Sequence, residues 1–281
     1  MSGTSLKQKV ISYWNQEPCG THWVQSEKYS RRYFDEIEDY RYKKEPEIFS
    51  FAQFSRFNGK RVLEVGIGAG TDFLQWVRSG AEAYGIDITP ESIKHVEKRL
   101  DVYGLKAKSI QVADAEKLPF SSDFFDLIYS FGVLHHTPDT SKALSEVVRC
   151  VKPGGRAKIM LYNRNSLNTF YLWIWHALLK GRPWKGFASC LYHHMESVGT
   201  KGYTPNEVKA MLNIPGVSNL TIKRQLTYYD LHNFLQFRFR KYRIGSFISE
   251  TIGSFMAWAC GGNRVGWWLL IEFTKDKHGS V

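Results

Sequence analysis

The chain has 281 residues, of which 43% are hydrophobic and 15% aromatic, and this composition excludes an intrinsically disordered protein. The formal net charge is +11, and residues 164–281, with 15 basic and 6 acidic side chains, carry nine of those charges. Cys19, Cys150, Cys190 and Cys260 have no C-x-x-C spacing, which argues against a disulfide framework and a zinc site and indicates a reducing compartment.

The first part of the chain, residues 1–58, is expected to form a helical cap rich in aromatic and charged side chains. Its opening residues, 1–14, contain no apolar stretch of the signal-peptide kind. The longest apolar stretch, 170–179, is too short for a membrane span, which takes roughly 20 residues. We therefore expect a cytoplasmic protein.

Residues 59–163 alternate strand and helix signals and are expected to form the core. Short apolar, β-rich runs predict five strands, at 61–66, 81–87, 109–114, 125–131 and 156–162. Apolar residues at helical spacing predict three helices, at 71–78, 90–103 and 140–151. Strands that alternate with helices form right-handed βαβ units, which build a mostly parallel sheet.

The rhythm breaks at residues 164–202, where SLNTFYLWIWHALL (166–179) has apolar residues nearly all round a helix. Such a helix is buried, or it contacts lipid or a partner. Residues 203–281 resume the pattern with a helix at 205–212 and strands at 220–229 and 265–274, the last after a basic, aromatic stretch at 237–255.

The whole pattern predicts an α/β fold, with a Rossmann-like, seven-stranded, mostly parallel sheet and helices on both faces. An N-terminal helical cap precedes this sheet, and insertions follow the fifth strand and precede the last one. The predicted parts are therefore a cap, a core, an aromatic insertion and a C-terminal completion of the sheet, at 1–58, 59–163, 164–202 and 203–281.

A glycine-rich loop, EVGIGAG (64–70), joins the first predicted strand to the next helix. Open parallel sheets bind ligands beyond the carboxyl ends of their strands, where glycines let the backbone approach the ligand closely. A dinucleotide site would need G-x-G-x-x-G, but the sixth position counted from Gly66 is Thr71. The loop therefore favours a different nucleoside.

Acidic residues end the next two predicted strands, Asp87 the second and Asp114 the third. One carboxylate can accept hydrogen bonds from both hydroxyls of a ribose, so Asp87 suits a nucleoside sugar. The fourth predicted strand runs into a polar turn at 130–137. These three features and the glycine-rich loop share one edge of the sheet, although each acid taken alone is also an ordinary cap or turn residue.

This combination resembles the class I S-adenosylmethionine-dependent methyltransferases, and most nearly their type 11 group, which includes the ubiquinone/menaquinone methyltransferases. The similarity covers about 95 residues in the family's order, in the segments VLEVGIGAG (62–70), GIDITPESI (85–93), ADAEKLPFSSDFFDLIYS (113–130), VLHHTPD (133–139) and VVRCVKPGG (147–155). One departure is Ile67, where a cysteine is common in the family. The resemblance implies S-adenosyl-L-methionine as the cofactor and methyl transfer to a small-molecule acceptor.

At the methionine end of that cofactor the resemblance implies roles for five residues. Gly66 and Gly68 would pass beneath the methionine portion, and Glu64 would shape the loop. Ser130 and Phe131 would face the sulfonium.

At the nucleoside end the resemblance implies roles for four residues. Asp87 would bind the ribose hydroxyls, and Ile88 would lie against the adenine. Asp114 and Ala115 would read the adenine's amino edge. The cap segment PCGTHW (18–23) is expected to close over the cofactor.

His135, just after the fourth strand, is the main candidate for a general base, which is needed only where the acceptor carries a proton at neutral pH. Its position resembles that of a functional histidine in phosphoethanolamine methyltransferases, whose partner is a tyrosine from an N-terminal helix. Tyr29 and Tyr33 are therefore the candidate catalytic partners. A structural role is the alternative for His135 and its neighbour His136. No metal is expected, because the adjacent histidines 193–194 lack the i, i+4 spacing of a helical metal pair.

Aromatic side chains in the cap and the insertion favour a hydrophobic or aromatic acceptor, because ligand pockets are mostly apolar. They are Trp14, Trp23, Phe170, Tyr171, Trp173, Trp175, Trp184 and Tyr192. The alternative is that these rings fill a core beneath the cap. The excess positive charge could attract an acidic acceptor, or bring the protein into peripheral contact with an anionic membrane surface.

Three other functions remain open at this stage. A basic C-terminal third is compatible with a nucleic-acid or protein methyltransferase, but SFGVLHH (130–136) replaces the Asn/Asp-Pro-Pro-aromatic turn of enzymes that methylate flipped bases, so no nucleic-acid partner is expected. A noncatalytic cofactor-binding module is the second alternative. The third is an enzyme that uses the same cofactor for a different reaction, such as cyclisation. The sequence leaves the oligomeric state open.

Overall fold

Seven strands form one sheet in the computed structural model, which describes residues 3–235 and 243–277. The strands are β1 Arg61–Val65, β2 Glu82–Asp87, β3 Ser109–Val112, β4 Phe125–Phe131, β5 Val151–Tyr162, β6 Val217–Gln225 and β7 Trp268–Lys275. Their order across the sheet is β3-β2-β1-β4-β5-β7-β6. Only β7 is antiparallel to its neighbours. The predicted Rossmann-like, mostly parallel sheet is confirmed.

Helices flank both faces of this sheet. Those in the described residues are α1 Gly3–Trp14, α2 Arg31–Lys44, α3 Glu47–Ala52, α4 Thr71–Arg78, α5 Pro90–Tyr103, α6 Thr140–Cys150, α7 Leu167–His176, α8 Phe187–His194, α9 Pro205–Met211, α10 Tyr228–His232 and α11 Arg243–Ala259. Helices α4 and α5 have the predicted bounds. Pro90 begins α5 and Gly104, in the left-handed conformation, ends it.

Three segments differ from the prediction. The strand predicted at 220–229 ends at Gln225, because Thr227 and Asp230 form a capping box that starts α10. The strand predicted at 156–162 begins earlier, at Val151, with a register shift in its pairing to β4. In the cap, the described segment 15–30 contains no helix.

The basic, aromatic stretch predicted at 237–255 is only partly covered by the structure. Residues 236–242 lie outside the described residues, and α11 begins just after them. The division of the chain into four parts stays a prediction.

Alternate residues of the central strands pack on opposite faces of the sheet. Leu63 and Val65 of β1 belong to a buried cluster that includes Leu144 and Val147 of α6. Val62, from the other face of β1, belongs to a second cluster with α4 and α5. Burying each such side chain stabilises the fold by about 1.5–3 kcal/mol, so the helices are held to both faces mainly by apolar packing.

A buried arginine fastens the cap helix α2 to the core. Arg99 is fully buried, and its guanidinium donates to the carbonyl oxygens of Ala69 (3.1 Å) and Phe34 (3.2 Å). It also donates to Glu38 Oε2 at 3.1 Å. A buried cation left without such partners costs several kcal/mol. The position of α2 over the loop after β1 therefore depends on this side chain.

A buried histidine makes the second contact between cap and core. His95 of α5 has no solvent exposure, and the hydroxyl of Tyr33 lies 3.2 Å from its Nε2. The rings of Tyr29 and Phe34 lie 5.7 and 5.2 Å from the imidazole, measured between centroids. Burial and the nearby Arg99 lower the pKa of His95 to about 4, so the folded state holds it neutral.

Helix α7 of the insertion has one buried side, which packs against α11. Leu167 and Tyr171 are buried and pack with Ala257 of α11. The described residues include no helix with both the length and the apolarity to cross a bilayer. A cytoplasmic location stays a prediction.

The histidine between cap and core is expected to make stability depend on pH. Because the folded pKa of His95, about 4, lies below the ordinary value of 6.5, its contribution is complete above pH 6.5 and is lost as the pH falls toward 4. We expect this site to cost about 3 kcal/mol of unfolding free energy over that interval. Urea denaturation at neutral pH and at about pH 5 should show a smaller pH dependence in His95→Gln.

The matched control is His22→Gln, at an exposed histidine of the cap. This variant should keep the pH dependence of the unmodified chain. A His95→Gln protein with the same pH dependence as His22→Gln would contradict the assignment.

Candidate active site

A cavity of about 300 Å³ opens at the carboxyl ends of the parallel strands. Its lining includes the loop after β1 (66–69), the tip of β2 (86–88), the segment after β3 (113–115) and the end of β4 (131–133). Strands β1 and β4 are neighbours, but the chain leads from them to opposite edges of the sheet. Such a reversal leaves a crevice at the strand ends, which is where open α/β sheets bind ligands.

Glycines shape the loop after β1. Gly66 has φ 81°, and a Cβ at this residue would lie 2.3 Å from Cγ2 of Val133. Gly70 has φ 74° and precedes the first turn of α4. Both positions therefore require glycine, because a side chain would clash or strain the backbone. The loop can then run directly beneath a ligand.

Asp87 joins the loop after β1 to the tip of β2. Its Oδ2 accepts a hydrogen bond from the Gly68 N–H (3.0 Å), and its Oδ1 accepts from the N–H (3.0 Å) and hydroxyl (2.8 Å) of Thr89. Burial raises the pKa of Asp87, while the hydrogen bonds from Thr89 and Gly68 act in the opposite direction. A carboxylate has about four lone-pair sites, and these three hydrogen bonds leave one of them, on Oδ2, for a ligand hydroxyl.

Glu64 and Asp72 form an acidic pair on the floor of the cavity. Asp72 accepts two hydrogen bonds from Arg41, from Nε (2.9 Å) and Nη2 (2.8 Å), and one from the Tyr129 hydroxyl (2.9 Å). Glu64 is buried, and its Oε2 has no hydrogen-bond partner within the described part of the chain. Burial and the carboxylate of Asp72 raise the pKa of Glu64 well above its ordinary value. An unpartnered oxygen of this kind suits a ligand donor such as an ammonium group.

The N-terminal helix α1 closes the nucleoside end of the cavity. Lys7 Nζ lies 2.6 Å from Asp114 Oδ2 and 2.8 Å from Glu116 Oε2. Asp114 Oδ1 in turn accepts the Glu116 N–H at 2.9 Å. The ion pair fixes Asp114 at the rim and brings Val10 and Trp14 of α1 over the cavity.

The structure brings together eight of the twelve site residues predicted from the sequence. The cavity is lined by Glu64, Gly66, Gly68, Asp87, Ile88, Asp114, Ala115 and Phe131. The other four, Ser130, His135, Tyr29 and Tyr33, are not among its lining residues.

Ser130 and His135 turn away from the cavity. The Ser130 hydroxyl donates to the Val65 carbonyl (3.0 Å), so it joins β4 to β1 inside the sheet. His135 is fully buried, its ring lies 3.9 Å from the ring of Tyr162, and neither ring nitrogen has a hydrogen-bond partner among the described residues. Burial and the nearby His136 lower the pKa of His135 well below its ordinary value.

The two predicted tyrosine partners do not contact His135. Both contact His95 of α5, as described above. The Tyr29 hydroxyl also donates to Glu91 Oε1 at 3.2 Å. The physical reason is that the end of the segment 15–30 and the first turn of α2 pack against α5, where Tyr29 and Tyr33 contact His95. In this structure Tyr29 and Tyr33 hold the cap to the core.

His136 is the histidine that lines the cavity. The hydroxyls of Ser197 and Thr200 each lie 3.0 Å from its Nδ1, and Glu196 Oε2 lies 3.3 Å from its Nε2. Glu196 also accepts hydrogen bonds from the Tyr162 hydroxyl (3.2 and 3.1 Å). Its backbone is left-handed, at φ 49°, a strained conformation for glutamate that the surrounding contacts maintain.

Aromatic rings enclose the cavity beyond the cofactor loop. This aromatic chamber consists of Trp14, Phe131, Tyr162, Tyr229, Trp267 and Trp268. The rings of Tyr162 and Trp267 stack at 4.0 Å. Cys19 also lines this space.

Of the aromatic residues predicted to form the acceptor pocket, only Trp14 lines the cavity. Most rings of the insertion pack against one another or against Phe234, and Trp184 is exposed. Phe170 stacks on Trp173, and the Trp175 indole donates to the Phe234 carbonyl at 2.8 Å. The insertion supplies Met195 and Glu196 to the lining.

Sequence reasoning missed the residues that line the acceptor side. Tyr162 stands at the end of β5, and Trp267 and Trp268 stand at the start of β7. Tyr162 could have been identified from the sequence, because it ends a predicted parallel strand, where ligands bind. No sequence pattern identifies Glu196 or Asp72 as a site residue, since their roles depend on contacts between segments far apart in the chain.

Comparison with known proteins agrees with this geometry. The family model for the type 11 methyltransferase domain, described as "Methyltransferase domain", matches residues 63–159. The phthiotriol/phenolphthiotriol dimycocerosates methyltransferase of Mycobacterium leprae is 38% identical over 100 residues, which are 35% of this chain and 36% of that protein. The match therefore spans about a third of the relative's length.

Two solved structures share the fold over nearly the whole chain. A putative sarcosine dimethylglycine methyltransferase from Galdieria sulphuraria has a TM-score of 0.57 at 15% identity, over 97% of this chain and 98% of that one. The [4+2]-cyclase SpnF has a TM-score of 0.53 at 14% identity, over 98% of this chain and 95% of that one. At these identities the likeness concerns the fold alone.

The cofactor of class I methyltransferases is S-adenosylmethionine, and the cavity residues fit it. The glycine-rich loop leaves space beneath a ligand, Asp87 Oδ2 keeps a lone pair for a ribose hydroxyl, and Glu64 has an unpartnered oxygen. Asp114 would lie beside the nucleobase, and Arg41, which also lines the cavity, would lie near the methionine carboxylate.

The carboxylate of Asp87 is expected to dominate the binding of the nucleoside. Asp87→Ala should weaken the affinity for S-adenosylhomocysteine by about 1–3 kcal/mol, because a hydrogen bond to a charged group is lost. Titration calorimetry measures this directly, and Asp101→Ala, at an exposed position on α5, is the control. If both variants bind like the unmodified chain, Asp87 does not belong to the site.

Proposed function

We propose that this chain, whose residues 63–159 belong to the class I, type 11 family of S-adenosylmethionine-dependent methyltransferases, transfers a methyl group to a small hydrophobic or aromatic acceptor. The observation that carries the proposal is the continuity of one cavity. The cofactor loop and Asp87 line one part of it, and the aromatic chamber lines the rest.

The cofactor, when bound, supplies a methyl group activated by a sulfonium, so this chain has to align the acceptor and exclude water. Phe131 and Gly132, at the end of β4, lie between the two parts of the cavity. Trp14 of α1 and Tyr229 of α10 line it as well, on elements outside the sheet. Such an enclosed, apolar chamber restricts the orientation of a bound acceptor and removes competing water.

His136 is the residue that we propose as the general base, in place of the predicted His135. An acceptor hydroxyl or amine loses a proton as it gains the methyl group, and His136 Nε2 is placed to take that proton. Glu196, 3.3 Å away, would stabilise the imidazolium, while the hydroxyls at Nδ1 fix the ring orientation. His135, buried and without hydrogen-bond partners in the described residues, then acts as a packing residue beneath Tyr162.

The charged residues of the cavity limit the kinds of acceptor that can bind. Its charged lining residues comprise three basic and six acidic side chains: Lys7, Arg41, Lys44, Glu45, Glu64, Asp72, Asp87, Asp114 and Glu196. Glu196 belongs to the acceptor side, next to Tyr162, whereas Glu45, next to Tyr229, is ion-paired with Arg41 at 3.1 Å. A carboxylate or phosphate acceptor would meet the negative charge of Glu196 there. We therefore propose a neutral or cationic acceptor, although the chain as a whole is basic.

Cyclisation is a second candidate, because the [4+2]-cyclase SpnF has the same fold. The His136–Glu196 pair favours methyl transfer, since a base is useful where the acceptor loses a proton. We also propose that the cavity admits no nucleic acid, because α1 closes its nucleoside end through Lys7 and its volume is only about 300 Å³.

The test is turnover of S-adenosylmethionine with a panel of small phenols, alcohols and aromatic amines, followed as release of S-adenosylhomocysteine. His136→Gln should lower kcat by about a hundredfold, because a positioned base contributes at least that factor. Its affinity for S-adenosylhomocysteine should remain unchanged. His135→Gln is the matched variant, and it should keep most of the turnover.

Three results would count against the proposal. Loss of turnover in His135→Gln, with His136→Gln active, would return the catalytic role to His135. Binding of the cofactor without turnover of any acceptor would indicate a noncatalytic module. Release of methylthioadenosine would indicate a reaction other than methyl transfer.

A further inference from the structure

Helix α11 exposes its large apolar side chains. They are Ile244 (75% exposed), Phe247 (70%), Ile248 (41%), Phe255 (61%) and Trp258 (78%). Isolated exposed apolar residues are ordinary on protein surfaces, but a contiguous group on one element marks an interaction site. The active site and the sheet make no use of these five side chains.

These five side chains form one stripe. At about 100° per residue, they and Thr251 fall within an arc of about 100° on the helix surface. We call this stripe the α11 outer face. With 17 residues, α11 is about 25 Å long, so the outer face extends along the surface of the molecule.

Small residues fix the opposite side of α11 to the protein. Gly253 packs so closely that a Cβ there would lie 2.0 Å from the Leu231 carbonyl oxygen of α10. The Ser249 hydroxyl, fully buried, donates to the His232 carbonyl at 2.5 Å. Ala257 is buried against α7. Because both sides of the helix are apolar and only one is packed, the outer face is left without a partner in the described structure.

We propose that the α11 outer face docks on an anionic lipid bilayer, with its aromatic and aliphatic side chains in the headgroup region. Phe255 and Trp258 lie together, with their ring centroids 6.0 Å apart, and tryptophan favours the membrane–water interface. Burial of this stripe supplies the apolar part of the binding free energy, and basic residues supply the electrostatic part.

The charge of the sequence favours anionic lipid over a second copy of this chain. Four basic residues at 238–243 directly precede or begin α11 in the sequence, and the helix itself contains one acidic residue, Glu250. Two copies of the chain, each with a net charge of +11, repel each other. An anionic bilayer surface attracts basic residues, by about 1 kcal/mol for each one near the surface.

The outer face lies one helix away from the acceptor chamber. Helix α10 stands between them, since Leu231 contacts Gly253 of α11 and Tyr229 lines the chamber. Docking would therefore place the chamber next to the lipid from which a hydrophobic acceptor comes. This last point rests on the proposed methyl transfer, whereas the docking itself does not.

The experiment is co-sedimentation of the full chain with vesicles of phosphatidylcholine, with and without phosphatidylserine. We expect binding to the phosphatidylserine vesicles that weakens at high salt. The double variant Phe255→Ser/Trp258→Ser should lower the partition coefficient roughly tenfold or more, because two buried rings are lost. Its thermal unfolding midpoint and its affinity for S-adenosylhomocysteine should not change, since both side chains are exposed.

Trp184→Ser is the matched control, because Trp184 is as exposed as Trp258 (78%) but lies outside α11. It should bind vesicles like the unmodified chain. An equal loss in Trp184→Ser, or full binding by the double variant, would overturn the assignment to α11. So would a dimer that the double variant dissociates in analytical ultracentrifugation, with no vesicle binding by either protein. Cofactor binding and turnover of a soluble acceptor test the proposed methyl transfer independently of vesicle binding.

Discussion

The carboxylate of Asp87, at the end of β2, holds the loop after β1 and the start of α5 together. Its two oxygens hold the Gly68 N–H of the loop after β1 and the Thr89 N–H at the start of α5. The glycines around Gly68 make this contact feasible, because their positive φ angles bend the loop back toward β2. The arrangement of the cavity follows from this contact, since every other lining segment is placed relative to the crevice between β1 and β4.

The cap completes the site through charged contacts. Arg41 of α2 holds Asp72 beside Glu64, and Lys7 of α1 holds Asp114 at the other end. Both are partly buried ion pairs, so removal of one partner would leave an uncompensated charge near the ligand. The cofactor part of the cavity lies between these two ion pairs, and the apolar walls of the aromatic chamber line the rest of it. Methyl transfer requires this division, because one part binds a charged cofactor and the other excludes water.

The sequence was sufficient for the sheet and for eight of the residues that line the cavity. Strand ends that carry Gly66, Asp87 and Asp114 can be located from local patterns, because parallel strands bring their carboxyl ends to one edge. Local patterns do not determine how the cap folds over that edge. Tyr29 and Tyr33 were therefore assigned to the catalytic site, whereas the turn-rich segment before α2 carries them to His95.

The sequence also does not determine which of the adjacent residues His135 and His136 faces the cavity. The two residues are adjacent, and a short 3₁₀ turn decides which ring faces the cavity. Glu196 reaches His136 from the insertion, across a sequence separation that no local pattern encodes. The strand LTIKRQLTYY was also predicted too long, because the capping box of α10 competes with strand pairing at Thr227.

A crystal structure of the chain with S-adenosylhomocysteine tests the central claim most directly. The account predicts the ribose hydroxyls on Asp87, the adenine beside Ile88 and Asp114, and the sulfur at Gly66, directed toward the aromatic chamber. A ligand bound elsewhere, or a ribose held by a residue other than Asp87, would contradict it.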